Sequence, residues 1–249
     1  MSARPPVAPI VRPPHFTVRR RLKWQGYFLL RRIVRLLCFV LFRMRVRGEE
    51  HVPPTGPLIV VANHLHNFDV IILNAAVTRP VFYMAKRELF RHAAFGRLLY
   101  LFGAFTVNRE AVDRAALKQV GLLLDEGMVV GILPEGTRST TRALTRGNRG
   151  TALVAYQRAV PILPVAITGV HHLPFDAKAI GERWFRRQVT VTIGEPFYLP
   201  AKEEGARPDL QAATDQIMLA IAALLPSDYR GVYGEQRVTA TQNVPERSA

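Results

Sequence analysis

Apolar residues occur along the chain in short dense runs, and amphipathic segments separate these runs. Six runs have the composition of buried strands: LIVVAN, VFYMAK, GAFTVN, MVVGI, PILPVAIT and VTVTIGEPFYL, at residues 58–63, 81–86, 103–108, 128–132, 161–168 and 189–199. Helical spacing covers residues 114–126, 151–158 and 210–225. Strands that alternate with helices predict an α/β fold, here a single domain with a largely parallel mixed sheet flanked by helices.

An N-terminal segment, residues 19–42, is apolar in bulk but is interrupted by Arg31, Arg32 and Arg35. It lacks the roughly 20 uncharged residues that a membrane-spanning helix needs. On a helical projection most arginines fall in one sector and most leucines lie opposite. The pattern fits an amphipathic helix in a membrane interface, with leucines among acyl chains and arginines on anionic head groups. A helix that covers the core with a solvated basic face is the alternative.

Composition divides the chain into four parts. Residues 1–18 are proline-rich and predict a disordered tail without a secretion signal. Residues 19–48 form the predicted membrane-interface helical segment, residues 49–230 the α/β domain and residues 231–249 a loose C-terminal tail. The single cysteine, Cys38, excludes an internal disulfide.

Net charge is the unusual feature of the composition. The chain has 34 basic and 19 acidic residues, a formal net charge of +15. Such a balance predicts an anionic neighbour, which could be nucleic acid, membrane phosphate or a phosphorylated substrate. Because the sequence has no recognised nucleic-acid module, we expect no nucleic-acid partner.

The stretch VVANHLHNFDVI, residues 60–71, places several polar side chains in an apolar region. His64, His66 and Asp69 are suitable metal ligands, but no further ligands occur at supporting spacings, so we expect no metal site. Alternatively His64 is a general base that Asp69 orients. The two would lie about 140° apart on a helix, but they can meet across a strand-to-helix turn. Plain polar residues between two buried elements are the third interpretation.

Two further segments offer groups that bind phosphate. In LPEGTRS, residues 133–139, Arg138 could form a bidentate contact with phosphate, while Gly136 and Thr137 could donate hydrogen bonds. In GAFTVNR, residues 103–109, Arg109 ends a predicted strand. Each segment also has a structural interpretation, a tight turn with Glu135 paired to Arg138 in the first and a solvated charge in the second. GxSxG, P-loop and GxGxxG motifs are absent from the sequence.

Taken in order, NHLHNFD, GAFTVNR, LPEGTRS and VPILPVAIT resemble the four sequence blocks of the lysophosphatidic acid acyltransferase family of glycerolipid synthesis. AKRELF, residues 85–90, is similar to the Lys-x-Glu-Leu segment of that family. The chain departs from the family pattern at Leu133, where phenylalanine is usual, at Asn108, where aspartate is common, and at Arg149, where lysine often stands. These departures affect the expected acceptor preference more than the activity.

The resemblance implies a role for each matching residue. His64 would be the general base and Asp69 its orienting carboxylate, and the acceptor phosphate would be bound by Arg109, Glu135, Gly136, Thr137 and Arg138. Pro161 and Pro164 would be architectural. The implied reaction moves a fatty acyl group from acyl-CoA or acyl carrier protein to the free hydroxyl of 1-acylglycerol-3-phosphate, giving phosphatidic acid. No metal and no cofactor beyond this thioester co-substrate is expected.

The expected partners are therefore a lysophospholipid, an acyl thioester and an anionic membrane surface. We expect a peripheral or monotopic protein on the cytoplasmic face of the membrane. Alternatives within the family act on another lysophospholipid or on an amino-acid lipid. A non-catalytic lipid-binding protein of this fold should have lost His64 or Asp69, and this sequence retains both.

Overall fold

The computed structural model describes residues 19–86, 99, 102–107, 114–170, 188–200 and 207–234. The described residues form helices α1 (Arg19–Leu41), α2 (Asp69–Ala76), α3 (Arg114–Asp125), α4 (Gly150–Arg158) and α5 (Leu210–Leu224). They also form strands β1 (Arg45–Arg47), β2 (Leu58–Ala62), β3 (Val81–Lys86), β4 (Ala104–Val107), β5 (Val129–Ile132), β6 (Ile162–Thr168) and β7 (Thr190–Ile193). Short 3-10 turns cover Glu49–His51, Ser227–Tyr229 and Gly231–Tyr233.

The strands form one sheet in the order β1-β7-β6-β2-β5-β3-β4. Only β6 and β7 pair in antiparallel fashion among these strands, and all other neighbours are parallel. In the centre of the sheet, Val60 of β2 lies opposite Gly131 of β5 on one side and Leu163 of β6 on the other. The predicted α/β fold with a largely parallel mixed sheet is confirmed.

Helices cover both faces of the sheet, which gives three layers. All five residues of β2 are buried, as expected for a central strand with helices on both sides. Val60 packs into the cluster that α1 and α2 help to form, and Val61 packs into the cluster of α3, α4 and α5. At the start of α5, the carboxylate of Asp209 accepts hydrogen bonds from two backbone N–H groups of the first turn.

Two arginines of helix α1 do not lie on the outward-facing side that the sequence predicted for them. Arg31 and Arg35 were expected at lipid head groups, but they turn inward and donate to backbone carbonyls at the end of α2. Unpaired helix-terminal carbonyls give a guanidinium better partners than solvent does. Large apolar side chains lie exposed on this helix, among them Leu29 (61% exposed), Leu36 (62%) and Val40 (65%). None of the described helices is long and apolar enough to cross a membrane.

Strand β1 lies within residues 19–48, which the sequence assigned to the helical segment. Residues 45–47 instead pair in parallel with β7 at one edge of the sheet. Arg45 and Arg47 are exposed, whereas Val46 packs against the core. The helical segment therefore ends at Leu41, and the chain joins the sheet four residues later.

Candidate active site

The candidate site lies where three neighbouring parallel strands end. β2, β5 and β6 run in the same direction, so their carboxyl ends meet at one edge of the sheet. The chain leaves β2 at Ala62, turns through residues 63–68 and enters α2 at Asp69. The LPEGTRS segment follows the end of β5 at Ile132. This edge is where open α/β sheets bind their ligands.

His64 and Asp69 meet across this strand-to-helix turn, as the sequence suggested they could. Nδ1 of His64 lies 2.9 Å from Oδ2 of Asp69. The same carboxylate oxygen accepts the backbone N–H groups of Leu65 at 2.6 Å and His66 at 2.7 Å. Asp69 is fully buried, while the His64 side chain is 10% exposed. Because an ionised carboxylate only accepts hydrogen bonds, the pair places the imidazole proton on Nδ1, so that Nε2 can accept a proton.

The second histidine, His66, belongs to the turn. Its ring is completely buried and stacks on Phe68, with centroids 5.4 Å apart and planes within 5°. Its Nδ1 accepts the backbone N–H of Phe68 at 3.2 Å. The two histidines of the motif thus differ in environment, and only His64 contacts Asp69 through its ring.

Asn63 joins the start of the turn to β6. Its side-chain amide donates to the carbonyl of Ile167 and accepts the N–H of the same residue, both at 2.8 Å. An asparagine side chain can replace a backbone peptide in this way because it has both a donor and an acceptor. The residue before His64 is therefore fixed laterally to the neighbouring strand.

Glu135 holds His64 from the other side. One carboxylate oxygen accepts the backbone N–H of His64 at 2.8 Å. The other accepts the backbone N–H of Thr145 at 2.9 Å and its hydroxyl at 2.8 Å. Glu135 is 5% exposed, and its two oxygens thus join three chain segments. Glu135 was expected to help bind the acceptor phosphate, and that role stays a prediction.

The rest of the LPEGTRS segment lies beside the dyad. The N–H of Ser139 donates to the carbonyl of His64 at 2.8 Å, so Arg138 is adjacent in sequence to a residue bonded to His64. Thr137 and Arg138 are exposed. Gly136 has a φ of 71°, and a Cβ there would come within 2.6 Å of the Asn148 side-chain amide, so the turn requires glycine.

The loop that supplies Thr145 is itself held by the C-terminal part of the fold. The N–H of Leu144 donates to the carbonyl of Tyr229 at 2.9 Å. The hydroxyl of Tyr233 accepts the N–H of Gly147, in the same loop, at 3.4 Å and donates to Asp215 of α5 at 3.1 Å. Thr145 could not be identified from the sequence, because nothing in its local pattern distinguishes it from other loop threonines.

Three other predictions concern residues around the site. Arg109 lies outside the described residues, and the described part of β4 ends at Val107. The carbonyls of Pro161 and Pro164 accept backbone N–H groups of Ile59 and Gly194, and their architectural role stays a prediction. Within the described part of the chain, no group of three or more His, Cys, Asp or Glu side chains could hold a metal ion.

Comparison with known proteins gives matches to an acyltransferase family. The family model described as Acyltransferase matches residues 43–168. The chain is 31% identical over 167 residues to a 1-acyl-sn-glycerol-3-phosphate acyltransferase of Bacillus subtilis, an alignment that covers 64% of this chain and 79% of that protein. It is 30% identical over 199 residues to the alpha enzyme of the same name from Ovis aries, covering 76% of this chain and 66% of that protein.

A solved structure has a similar fold. The crystal structure of the 1-acyl-sn-glycerophosphate (LPA) acyltransferase PlsC from Thermotoga maritima superposes with a TM-score of 0.64. The match covers 84% of this chain and 83% of that chain, at 21% sequence identity. At this identity the likeness supports the fold.

Proposed function

Because the chain belongs to the acyltransferase family, we propose that it transfers a fatty acyl group from an acyl thioester to the free hydroxyl of a 1-acylglycerol-3-phosphate, giving phosphatidic acid. The donor is acyl-CoA or acyl carrier protein. The observation that carries the proposal is the His64–Asp69 pair, with Nδ1 and Oδ2 2.9 Å apart at the strand end. The names of the relatives support this acceptor.

The dyad suits direct transfer to an acceptor hydroxyl. Nε2 of His64 removes the hydroxyl proton as the oxygen attacks the thioester carbonyl. The tetrahedral intermediate collapses with cleavage of the C–S bond, and the imidazolium returns the proton to the departing sulfur. Asp69 stabilises the imidazolium and fixes the ring orientation. The acceptor supplies the nucleophile, so the reaction requires no acyl-enzyme.

The acceptor phosphate is proposed to bind at the LPEGTRS loop. Arg138 supplies a guanidinium, Thr137 a hydroxyl and Gly136 a tight turn, and Arg109 adds a second cation. The exposure of Arg138 supports the assignment, as does the bond of Ser139 to the His64 carbonyl. A charge-assisted hydrogen bond from Arg138 would contribute about 1.5–3 kcal/mol.

For Glu135 we propose that positioning is the main contribution. A carboxylate is a poor neighbour for a phosphate because both are anions. Its two oxygens already accept from His64 and Thr145 at 2.8–2.9 Å. Glu135 thus serves the phosphate site indirectly, by fixing the loop that carries Arg138 relative to His64.

Helix α1 is proposed to lie on an anionic membrane at its cytoplasmic face. The exposed apolar side chains of this helix would enter the acyl-chain boundary, and exposed arginines beside it, at positions 43, 45 and 47, would lie near lipid phosphates. A peripheral position brings the site to the membrane that dissolves the lysophospholipid acceptor.

The test of the proposed function is an acyl-transfer assay with purified protein. Labelled acyl-CoA and acyl carrier protein thioesters are offered with a panel of lysophospholipids and amino-acid lipids, and the products are identified. We expect labelled phosphatidic acid from 1-acylglycerol-3-phosphate, and none from folded His64→Ala protein. A preference for another acceptor would assign a different activity within the family. Near-normal turnover by His64→Ala would exclude His64 as the base.

A further inference from the structure

Helix α2 carries Asp69 as its first residue and ends at Ala76. The last carbonyls of a helix have no partner inside the helix. Here arginines of α1 supply the partners. Arg31 donates from Nε to the carbonyl of Asn74 at 3.0 Å and from Nη1 to that of Thr78 at 3.2 Å, and its Nη2 donates to the carbonyl of Val77.

Arg35 extends the same contact. Its Nη1 donates to the carbonyl of Ala75 at 3.1 Å, and its Nη2 forms an ion pair with Glu49 at 2.5 Å. Glu49 thereby orients the guanidinium toward α2. Two cations at the C-terminal end of a helix are also favoured by the helix dipole.

Asn74 fixes this end of α2 to the sheet. Its side-chain amide donates to the carbonyls of Val81 at 2.9 Å and Phe102 at 3.3 Å. Its Oδ1 accepts the hydroxyl of Tyr27 at 3.2 Å. The C-terminal end of α2 is therefore held between α1, the start of β3 and the turn that precedes β4.

We propose that Arg31 and Arg35 are positioning residues for the acyl transfer, because they fix one end of α2 and so hold Asp69, at its other end, against His64. This inference rests on the proposed function. An eight-residue helix is only about 12 Å long, so a displacement of its C-terminal end also tilts its first residue. Asp69 Oδ2 accepts three hydrogen bonds of 2.6–2.9 Å, so a small tilt of α2 disrupts the dyad.

A consequence follows for α1. The helix that binds α2 through its arginines presents exposed apolar side chains such as Leu29 and Leu36 on its surface. The element proposed to lie on lipid therefore also supports the dyad, through the far end of α2. Loss of α1 from the protein surface would misalign Asp69 without any substitution in the site.

The kinetic test uses the full-length chain with Arg31→Met, Arg35→Met and the double substitution. Arg32→Met is the matched control, because Arg32 is exposed on the same helix. A displacement of about 1 Å at a reacting group can cost about 10²-fold, so we expect kcat to fall by about this factor in the double variant. The acceptor KM should stay unchanged, and Arg32→Met should behave as wild type. An unchanged kcat in a folded double variant would overturn the inference.

A second readout needs no substrate. In protein labelled with 15N-histidine, the Nδ1 proton of His64 is identified by its loss in His64→Ala. We expect this resonance in wild type and Arg32→Met, and its broadening through exchange with water in the arginine variants. If the double variant does not fold, Arg31→Met and Arg35→Met decide together, because each keeps the carbonyl contacts of the other arginine.

The two readouts separate this inference from the proposed function. A wild-type protein that acylates no acceptor would refute the proposed function, and the His64 resonance would still report whether the arginines hold the dyad. An undisturbed resonance with wild-type kcat in the folded double variant, or in both folded single variants where the double variant does not fold, would show that the arginines have no positioning role.

Discussion

Replacement of Glu135 by glutamine separates a positioning role from a substrate-binding role. The carboxylate is buried and accepts the N–H of His64, and both the N–H and the hydroxyl of Thr145. Glutamine has nearly the same shape, but only one of its two terminal atoms accepts hydrogen bonds. Its NH2 group must therefore face the N–H of His64 or that of Thr145. In either orientation two hydrogen-bond donors face each other.

The expected magnitude follows from the bonds that are lost. One buried backbone N–H is left without an acceptor, which costs about 1–3 kcal/mol. We expect the free energy of unfolding to fall by about this amount in Glu135→Gln. Since the lost bond orients the backbone of His64 or the loop behind it, kcat should fall by about 10- to 10²-fold. The acceptor KM should change by a smaller factor than kcat, because the loop that carries Arg138 is loosened but no direct phosphate contact is removed.

The assay is steady-state acyl transfer with the acceptor varied, combined with urea unfolding of the same preparations. Glu195→Gln is the control, because Glu195 is exposed and the substitution removes the same charge. A Glu135→Gln protein with normal kcat and stability but a raised acceptor KM would refute the positioning argument. It would place Glu135 in contact with substrate.

Four further predictions concern the dyad, the phosphate loop and α1. Asp69→Asn should lower kcat by about 10³- to 10⁴-fold, because an amide NH2 facing His64 Nδ1 selects the wrong tautomer; a steady-state activity near wild type would contradict this. Arg138→Ala should raise the acceptor KM by about 10- to 150-fold, the equivalent of one charge-assisted contact; an unchanged KM would remove Arg138 from the phosphate site. Cys38 is 2% exposed, and burial raises the pKa of its thiol to about 11, so maleimide should modify it slowly near neutral pH unless urea is added. Rapid modification would show that α1 is not packed as described. Leu36→Ser should weaken binding to anionic vesicles in a flotation assay, whereas equal binding would place that face away from lipid.

Much of the fold could be predicted because its strands are buried and bounded by turn residues. The run VFYMAK coincides with β3, and PILPVAIT contains β6. Strand β1 could not be predicted because it has three residues and only one of them is even partly buried. The bounds of α2 also lacked a signal, since DVIILNAA is apolar on nearly every side and shows no helical period.

The dyad could be predicted more readily than the residues that hold it. His64 and Asp69 are five positions apart and share one turn, so their meeting depends on local geometry. Glu135 bonds to His64 from 71 positions away, and Asn63 bonds to Ile167 from 104. Such contacts depend on which strands become neighbours, and the sheet order cannot be derived from the periodicity of any one segment.

The net charge of the sequence does not show how many of its basic side chains face the surface. The sequence of an amphipathic helix with a basic sector does not indicate whether its arginines bind lipid phosphates or peptide carbonyls. In this fold Arg31 and Arg35 bind carbonyls of α2, and Arg79 binds those of Pro53, Gly56 and Gly127. These cations are committed to internal contacts, so they contribute less to attraction of a membrane than a net charge of +15 suggests. The proposed attraction of α1 to lipid would then depend mainly on its exposed apolar side chains, since burying one leucine contributes about 1.5–3 kcal/mol and one surface arginine about 1 kcal/mol.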